Sequence, residues 1–415
     1  MNIVVFEDAQ VDQLYPITTG RAAYAISCAS YRLIDWLARF DSPLVGIVRP
    51  HLRTLQLLDF PYFTPQLSAT QSRSLIVNAR LVPSLANFRL LQQLIAENRE
   101  GVVRAGVALA AAVIPTKRLA TKDDASMLRS IESACNDLEP PLPQLALPLQ
   151  LFDFPHDVIR WNQACFAENL QFRLHEGAYQ EIKPNLFVSP GAVVGEYVIA
   201  DSAAGPIVVD EGAQIGPYCF LRGPAYLGPG ARLLEHSAIK DFVSLGHTTK
   251  IGGEIEASVI EPFTNKQHHG FLGHSYLGSW INLGAGTCNS DLKNTYGEVK
   301  LDIRGQKIAT GMQFVGSIIG DYAKTAINTG IFTGKILGTC SMIYGFVTTN
   351  VPSFVNYARS FGQVTELPPS VMESTQKRMF ARRQVTQRPC DIQLLHDMYQ
   401  LTRHERQLTE EPLVF

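Results

Sequence analysis

The sequence predicts an α/β domain followed by a parallel β-helix and a helical C-terminal tail. The first observation is a strict six-residue step of aliphatic side chains, at Val209, Ile215, Leu221, Leu227, Leu233, Ile239 and Leu245. A helix repeats its apolar face about every 3.6 residues and a half-buried strand every 2, so a step of six fits neither. It fits a coil of very short strands that each direct one aliphatic side chain to a common axis.

Small residues between the aliphatic positions support the same interpretation. A small or β-branched side chain lies four residues after each of the first six, at Ala213, Cys219, Ala225, Ala231, Ser237 and Val243. These positions suit the corners of a coil. The step returns downstream at Ile319, Thr325, Ile331, Leu337 and Ile343. We therefore expect the β-helix to occupy residues 186–352.

Residues 1–145 alternate strand-like and helix-like segments. The pattern predicts strands at residues 2–6, 74–78 and 101–105 and helices at residues 31–40 and 88–97. Such alternation is typical of a parallel sheet covered by helices. The first region is therefore expected to be an α/β domain with its own core.

Two further regions flank the repeats. Residues 146–185 are predicted to be a linker with one amphipathic helix, since Pro140–Pro143 interrupts regular structure and apolar residues recur from Val158 to Phe166. Residues 353–415 are charged and helix-like. We expect them to form a helical cap over the open end of the coil, whose strand edges would otherwise be unpaired.

Composition limits the partners and the compartment. The 415-residue chain has a formal net charge of -2, which gives no reason to expect nucleic acid or an anionic membrane as partner. Its start has Glu7 and Asp8 where a signal peptide has basic residues, and its longest apolar run, Val107–Ile114, is shorter than the roughly 18 residues of a membrane helix. The seven cysteines form no CxxC pair. These features favour a cytoplasmic protein without a membrane segment.

The six-residue step is disturbed at two places. The first break lies between Glu254 and Gly273 and contains the polar stretch Asn265–His274. The second lies between Asn289 and Met312 and follows Asn282–Asn289. Polar loops expelled from a packed coil are where a solenoid can carry chemistry, so these breaks are the candidate functional regions.

The first break resembles a known family. Residues 268–287 match, without a gap, the acetyltransferase region of bifunctional bacterial enzymes that acetylate glucosamine 1-phosphate and then form UDP-N-acetylglucosamine. The matching positions are His268, Phe271, Leu272-Gly273, Asn282 and Gly284–Thr287. Over nearly its full length the chain more closely resembles a divergent branch of sugar nucleotidyltransferase-like proteins, marked here by Asn289–Tyr296 and Gly320–Thr325.

That resemblance implies a fold and an activity. The β-helix would be left-handed, the first domain nucleotidyltransferase-like (Rossmann-like), and the assembly a homotrimer with its site between subunits. The implied reaction is acetyl transfer from acetyl-CoA to an amino-sugar phosphate such as glucosamine 1-phosphate. His268 would be the general base, since an imidazole titrates near neutral pH and only a deprotonated amine attacks a thioester.

The resemblance also implies which residues bind the two substrates. Arg222 and Asn282 would contact the acceptor, and Asn289 would help hold the acceptor or acetyl-CoA between subunits. Ala285, Gly286 and Thr287 would bind acetyl-CoA. Two departures leave the identity of the acceptor open. A family lysine has no counterpart in Glu254–Ala257, and Phe271 replaces a family tyrosine.

The first domain departs further from the family. Sugar nucleotidyltransferases carry a Gly-rich basic loop after the first strand, because backbone N–H groups must approach the phosphates. Here Glu7–Pro16 is acidic and contains no glycine, and Asn78–Arg80 stands where the family has a magnesium-binding Gly-Asp. The expectation is a degenerate domain with residual or altered nucleotidyltransferase activity, which would need Mg²⁺ only if it is active.

Other interpretations remain open at this stage. The chain could be a trimeric sugar-nucleotide-binding protein without catalysis, or a zinc enzyme similar to γ-carbonic anhydrases that uses His236, His269 and His274. His268 could be an ordinary loop histidine and Arg222 a surface charge. Asn282 and Asn289 could simply be corner residues. The acyltransferase interpretation, with no resident metal, is the one adopted here.

Overall fold

The computed structural model describes residues 1–120, 122–137 and 141–406. The chain forms two compact units, which are described separately. The first comprises residues 1–14, 21–26 and 31–153, and the second comprises residues 15–20, 27–30 and 154 onward. Two short segments from the N-terminal region thus belong to the second unit.

The first unit is built on a five-stranded mixed sheet. The strands in spatial order are Leu44–Ile47, Asn2–Phe6, Arg73–Asn78, Ala108–Pro115 and Gly101–Ala105. The first three are parallel, and Ala108–Pro115 is antiparallel to both of its neighbours. The expected parallel sheet holds for the first three of these strands, and Ala108–Pro115 departs from it. A tight turn at Gly106 (φ +60°) joins Gly101–Ala105 to Ala108–Pro115, and a direct hairpin makes its strands antiparallel. The three predicted strands are confirmed.

Helices cover this sheet as predicted, with shifted ends. The α-helices are Leu33–Leu37, Arg53–Asp59, Leu85–Glu97 and Asp124–Asn136, and the 3₁₀ turns are Ala9–Leu14, Ala23–Ala25, Pro50–Leu52 and Thr116–Arg118. The helix expected at residue 88 begins at Leu85, because the Ser84 side chain caps it by accepting from the Asn87 N–H at 3.1 Å. Fully buried Val4, Ile76 and Ile114 anchor the core between sheet and helices.

The second unit consists of one long helix and a parallel β-helix with three faces. The helix is His156–Glu176. Strands on the first face are Leu186–Val188, Ile207–Val209, Ala225–Leu227, Val243–Leu245, Val259–Ile260, Tyr276–Leu277, Ser317–Ile319 and Lys335–Leu337, with Gln180–Lys183 antiparallel at the edge. Strands on the second face are Val193–Val194, Gln214–Ile215, Arg232–Leu233, Lys250–Ile251, Asn265–Lys266, Lys324–Thr325, Met342–Ile343 and Val355–Ala358. Strands on the third face are Ile199–Asp201, Phe220–Arg222, Ala238–Lys240, Glu254–Glu256, Phe271–Gly273, Cys288–Asn289, Gly330–Ile331 and Phe346–Val347.

The six-residue step produces this architecture as predicted. Three hexads make one coil, so Ile215 lies over Leu233 and Leu233 over Ile251, 18 residues apart in each case. The aliphatic residues of the step are at most 3% exposed and form one continuous core. Burying such a column of side chains supplies the main stabilisation of a β-helix. The parallel β-helix is therefore confirmed.

Both breaks in the repeat place a polar residue in the inward column. On the second face the pairing step shortens to 15 residues, and Lys266 occupies the position over Ile251. On the third face Asn289 pairs with Ile331, so it also takes an inward position. Lys266 is 2% exposed and Asn289 5% exposed, so both polar side chains are buried.

The β-helix continues beyond residue 352, where it was expected to end. A β-hairpin, Lys300–Ile303 with Gln306–Ala309, leaves the coil within the second break. Parallel pairing continues past Pro352 to Val355–Ala358, and the antiparallel strand Gln363–Glu366 covers that edge. A strand therefore covers the last edge of the coil, where a helix was expected.

The C-terminal tail is helical, as predicted. Its helices are Pro369–Ala381, Pro389–Leu401 and Arg403–Arg406, and residues 407–415 of the predicted cap lie outside the described residues. The first of them packs on the side of the coil, where the Phe380 ring lies 4.4 Å from the Trp280 ring. The last reaches the final coil through Glu405, which accepts from the Ser353 N–H at 2.8 Å. Across the described residues, no helix combines the length and the apolar character that a membrane crossing requires.

Candidate functional site

His268 lies at the corner between the second and third faces. It follows the strand Asn265–Lys266, and both His268 and His269 are exposed. The next coil places the Gly284–Thr287 turn over this corner, with the Gly286 N–H donating to the His269 carbonyl at 3.1 Å. The structure therefore brings together His268 and the turn predicted to bind acetyl-CoA, because successive coils stack in register.

Gly286 is required by the geometry of that turn. Its φ is +73°, in the left-handed region that favours glycine, and a Cβ at this position would collide with Oδ1 of Asn328 in the following coil. Its neighbour Thr287 is buried, and its hydroxyl lies 2.7 Å from the Thr325 hydroxyl. Gly286 and Thr287 thus shape the turn, and Ala285 is the partly exposed residue at its tip.

Lys266 fixes the backbone beneath His268. Its ammonium donates to the His268 carbonyl at 2.6 Å and to the Gly252 carbonyl at 2.9 Å. Burial lowers the pKa of Lys266 to about 8, since desolvation penalises the charged form. This buried amine was not recognised from the sequence, although Lys266 stands in a column of aliphatic residues once the hexads are aligned.

Asn282 is exposed on the second face, one coil above Asn265. Single bridges pair its backbone with Asn265 below and with Lys324 above. Its Oδ1 accepts from the Asn265 amide at 3.5 Å, which directs its own NH₂ group away from that neighbour. Asn282 thus presents an amide donor on the face that leads into the His268 corner.

Asn289 lies at the opposite end of the third face, and its side chain is fully engaged. Its Oδ1 accepts from the Gly273 N–H at 2.9 Å, and its NH₂ group donates to the carbonyls of Gly273 at 3.1 Å and Ser290 at 3.2 Å. The two bonds to Gly273 connect neighbouring coils. The predicted acceptor contact of Asn289 remains a prediction, and its structural role is now defined.

A His–Asp pair lies beside Asn289. Nδ1 of His274 is 2.8 Å from Oδ2 of Asp291, and the imidazole stacks on the Phe314 ring with centroids 5.1 Å apart. A carboxylate that holds one ring nitrogen orients a histidine for proton transfer. The sequence analysis did not find this pair, although its 17-residue separation equals the step from Ile255 to Leu272 on the same face.

Arg222 lies lower on the third face. Its strand is three strands below Phe271–Gly273, which corresponds to about 14 Å at roughly 4.8 Å per strand. Its Nη2 forms an ion pair with Asp241 at 2.5 Å, and this hydrogen-bonded partner raises the pKa of the guanidinium. Within one chain Arg222 is therefore not brought to the His268 corner, and its contact with an acceptor stays a prediction.

Two of the three histidines considered as zinc ligands have other partners. His274 pairs with Asp291, and the His236 ring stacks on Tyr218 with centroids 5.3 Å apart. In the part of the chain that the structure describes, no three His, Cys, Asp or Glu side chains are grouped so that they could hold a metal ion.

In the first unit, the acidic loop is neutralised internally. Both oxygens of the Asp8 carboxylate accept from Arg80, through Nε and Nη2, each at 2.8 Å. Glu7 pairs with Arg49 at 3.0 Å and also accepts from the Ala23 N–H at 2.9 Å. These residues do not fit a Mg²⁺ ion, because the nearest carboxylate oxygens are already bound by a guanidinium.

Comparisons with known proteins found one matching family model and several relatives that match part of the chain. Residues 3–176 match the family model described as sugar nucleotidyl transferase. A bifunctional sugar-1-phosphate nucleotidylyltransferase/acetyltransferase of Sulfurisphaera tokodaii is 30% identical over 148 residues, which is 35% of this chain and 37% of that protein. The bifunctional protein GlmU of Methanococcus vannielii is 30% identical over 119 residues, 29% of this chain and 28% of that protein. The chain thus spans only about a third of the length of these curated relatives.

A solved UDP-N-acetylglucosamine acyltransferase of Francisella novicida is also similar, at 16% identity. It covers 55% of this chain and 82% of its own, but its TM-score of 0.26 carries no structural argument. The sequence matches confirm the resemblance in two steps. The first region resembles the sugar nucleotidyl transferase class. Within that class, the chain is related to bifunctional proteins named as nucleotidylyltransferase and acetyltransferase.

Proposed function

We propose that this protein transfers an acetyl group from acetyl-CoA to the amine of an amino-sugar phosphate. The observation that carries the proposal is the stacking of exposed His268 beneath the Gly284–Thr287 turn at one corner of the coil. The relationship to bifunctional acetyltransferases supports the same reaction. A homotrimer, with the site in a cleft between neighbouring chains, is part of this proposal.

The reaction assigns a role to each group at the corner. His268 accepts a proton from the acceptor ammonium, and the free amine attacks the thioester carbonyl. The new C–N bond forms, and the nitrogen of the tetrahedral adduct releases its remaining extra proton to solvent. The C–S bond then breaks as the proton held by His268 passes to the departing thiolate. Asn282 offers an amide donor to the acceptor sugar, while the tip of the turn at Ala285 contacts acetyl-CoA.

Nucleotidyl transfer is proposed only as a residual or altered activity. Arg80 occupies both oxygens of Asp8, and the loop after the first strand lacks the glycines that would let its backbone approach phosphates. Because these carboxylate oxygens are occupied, we assign no Mg²⁺-dependent step to this unit. Pyrophosphate release from UTP and N-acetylglucosamine 1-phosphate measures whatever activity it retains.

The test is acetyl-CoA-dependent thiol release with glucosamine 1-phosphate and related amino sugars. His268→Ala is expected to reduce kcat by about 10²–10⁴-fold, the usual contribution of a general base. His269→Ala is the matched control, because its side chain is equally exposed one residue away. The control variant should keep most of the wild-type activity.

Two other results would redirect the assignment. Full activity in His268→Ala with loss in His274→Ala would transfer the role of base to the histidine paired with Asp291. Absence of activity with every amino sugar, together with binding of a nucleotide sugar, would favour a binding protein without catalysis.

A further inference from the structure

The second unit contains a large cavity far along the chain from the His268 corner. Its volume is about 1430 Å³, and it lies between the hairpin Lys300–Ala309 and the last coils, with Tyr15 and Tyr357 in its wall. Sites for drug-sized ligands usually measure about 300–1,000 Å³. This cavity therefore has room for a molecule of nucleotide size or larger.

Positive charge is concentrated in the lining. Six cationic side chains contribute to it: Lys293, Lys300, Arg304, Lys307, Lys335 and Arg359. The lining contains two carboxylates, Asp302 and Glu405. The chain as a whole has a formal net charge of -2, so this excess is a local feature and does not follow from composition.

The two carboxylates are used for structural bonds. Asp302 accepts from the Gly305 N–H at 3.0 Å within the hairpin turn. Glu405 accepts from the Tyr15 hydroxyl at 2.7 Å and from the Ser353 N–H at 2.8 Å. Among the described residues, none of the six cations has a carboxylate at ion-pair distance; Lys293, for example, donates to the Glu298 carbonyl at 2.6 Å.

The lysines also crowd one another. Lys335 is partly buried, and burial lowers its pKa, while nearby Asp302 opposes that change and Lys307 and Lys293 add to it. Like charges held together raise the free energy of the folded chain unless an anion lies between them. This arrangement is therefore one that an anionic ligand would stabilise.

The wall of the cavity is held in place by packing. Leu301 and Ile303, on the inner side of the hairpin, are buried. Asn350 connects the hairpin to the coil, donating to the Asp302 carbonyl at 2.7 Å and accepting from the Ile336 N–H at 3.0 Å. The cations are thus presented on a fixed scaffold, which lowers the entropic cost of binding.

We propose that this cavity binds a small molecule that carries at least two phosphate groups. Lysine ammonium groups suit phosphate as point charges, and several of them together match a diphosphate or triphosphate better than a single carboxylate. The concave shape favours a small molecule over a membrane surface. The proposal does not depend on acetyl transfer, and a nucleotide sugar and coenzyme A both have the required chemistry.

The test is calorimetric titration of the full chain with inorganic tripolyphosphate. Wild type is expected to bind it saturably, and Lys300→Ala/Lys307→Ala should raise Kd by at least about tenfold, since each ammonium supplies a charge-assisted hydrogen bond to a phosphate oxygen. Both lysines are exposed on the hairpin, so the variant should keep its thermal unfolding curve. Lys377→Ala, which removes an exposed lysine from the helix Pro369–Ala381, is the matched control and should leave Kd unchanged.

Competition identifies the source of the phosphates. Displacement of tripolyphosphate by UDP-N-acetylglucosamine assigns the cavity to a nucleotide sugar, and displacement by coenzyme A assigns it to the acyl carrier. Absence of saturable binding, or equal Kd values for wild type and the double variant, would overturn the proposal. Because the readout is binding, a negative result here is distinct from failure of the acetyl-transfer assay.

Discussion

Arg80 in the first unit and Lys266 in the second are both almost completely buried cations, and their hydrogen-bond partners differ. Arg80 in the first unit is 0% exposed and donates to both oxygens of Asp8, to Asp153 at 3.1 Å and to the side chain of Gln10 at 2.6 Å. Lys266 in the second unit is 2% exposed, but its described acceptors are two backbone carbonyls and no carboxylate. A guanidinium with anionic partners is part of a closed network, whereas an ammonium without one loses its proton readily.

The comparison separates structural polar groups from available ones. In the first unit the side chains that stand where a nucleotidyltransferase would bind phosphate and metal bind each other. In the second unit the polar break places a weakly compensated amine directly beneath exposed His268. We infer that the first break of the β-helix, and not the acidic loop, is the region that retains catalytic chemistry.

The largest effect on stability is expected when Arg80 is removed from its buried hydrogen-bond network. Arg80→Ala leaves the mostly buried Asp8 carboxylate without its cationic partner, and the Asn78 amide that also donates to it at 2.8 Å does not neutralise its charge. The free energy of unfolding of the first unit should therefore fall by about 3–5 kcal/mol. Chemical denaturation followed by the fluorescence of Trp36, which is fully buried in this unit, measures the change.

Arg53→Ala is the control for that experiment. Arg53 forms an ion pair with Asp124 at 3.4 Å and its side chain is 56% exposed, so its removal should cost at most about 1 kcal/mol. Equal small losses for Arg80 and Arg53 would show that the internal network does not stabilise the unit, and the comparison between the two units would collapse.

The fold could be predicted from the sequence in the region where the six-residue repeat is regular. The hexad step predicted the β-helix because Val209–Leu245 repeats without interruption, and each hexad buries one side chain in the same column. The mixed character of the sheet in the first unit was not predicted, since the strand Ala108–Pro115 reads as a short apolar run in the sequence. Its direction is set by the Gly106 turn, which the periodicity does not reveal.

The site was predicted only in part for a similar reason. The family pattern identified His268 and the turn at Gly286, which are close in sequence and are stacked by the coil. The partners that neutralise or orient other groups lie far away along the chain. Asp291 is 17 residues from His274, one coil further on, and Arg80 is 72 residues from Asp8 within the first unit. Such pairs depend on register, and register shifts inside the breaks.

Lys266 should make the free energy of unfolding depend on pH. Its pKa is about 8 in the folded chain and 10.5 in the unfolded reference, so above pH 8 the unfolded state binds more protons. The stability of wild type relative to Lys266→Met should therefore rise between about pH 8 and 10.5, by up to about 3 kcal/mol, and stay constant below pH 8. Denaturation curves at several pH values measure this difference.

A lysine outside the coil provides the reference. Lys377 is exposed on the helix Pro369–Ala381, and Lys377→Met should give a stability difference from wild type that does not change over the same pH range. A flat difference for Lys266→Met as well would mean that the buried amine keeps its proton over this pH range. The distinction between the two buried cations would then be lost.

After Arg80 and Lys266, the smallest stability effect is expected for Asn289, and it distinguishes Asn289 from Asn282, the other asparagine of the candidate site. Asn289→Ala removes two hydrogen bonds between coils and one to the adjacent Ser290. It should cost about 1–3 kcal/mol, because the Gly273 N–H and carbonyl lose their Asn289 partner in a buried place. Asn282→Ala changes an exposed side chain and should alter stability by less than about 0.5 kcal/mol. In the acetyl-transfer assay the order should reverse, with a larger rise in the acceptor KM for Asn282→Ala. A KM unaffected by Asn282→Ala would show that an exposed amide beside the His268 corner is not sufficient to make a binding residue.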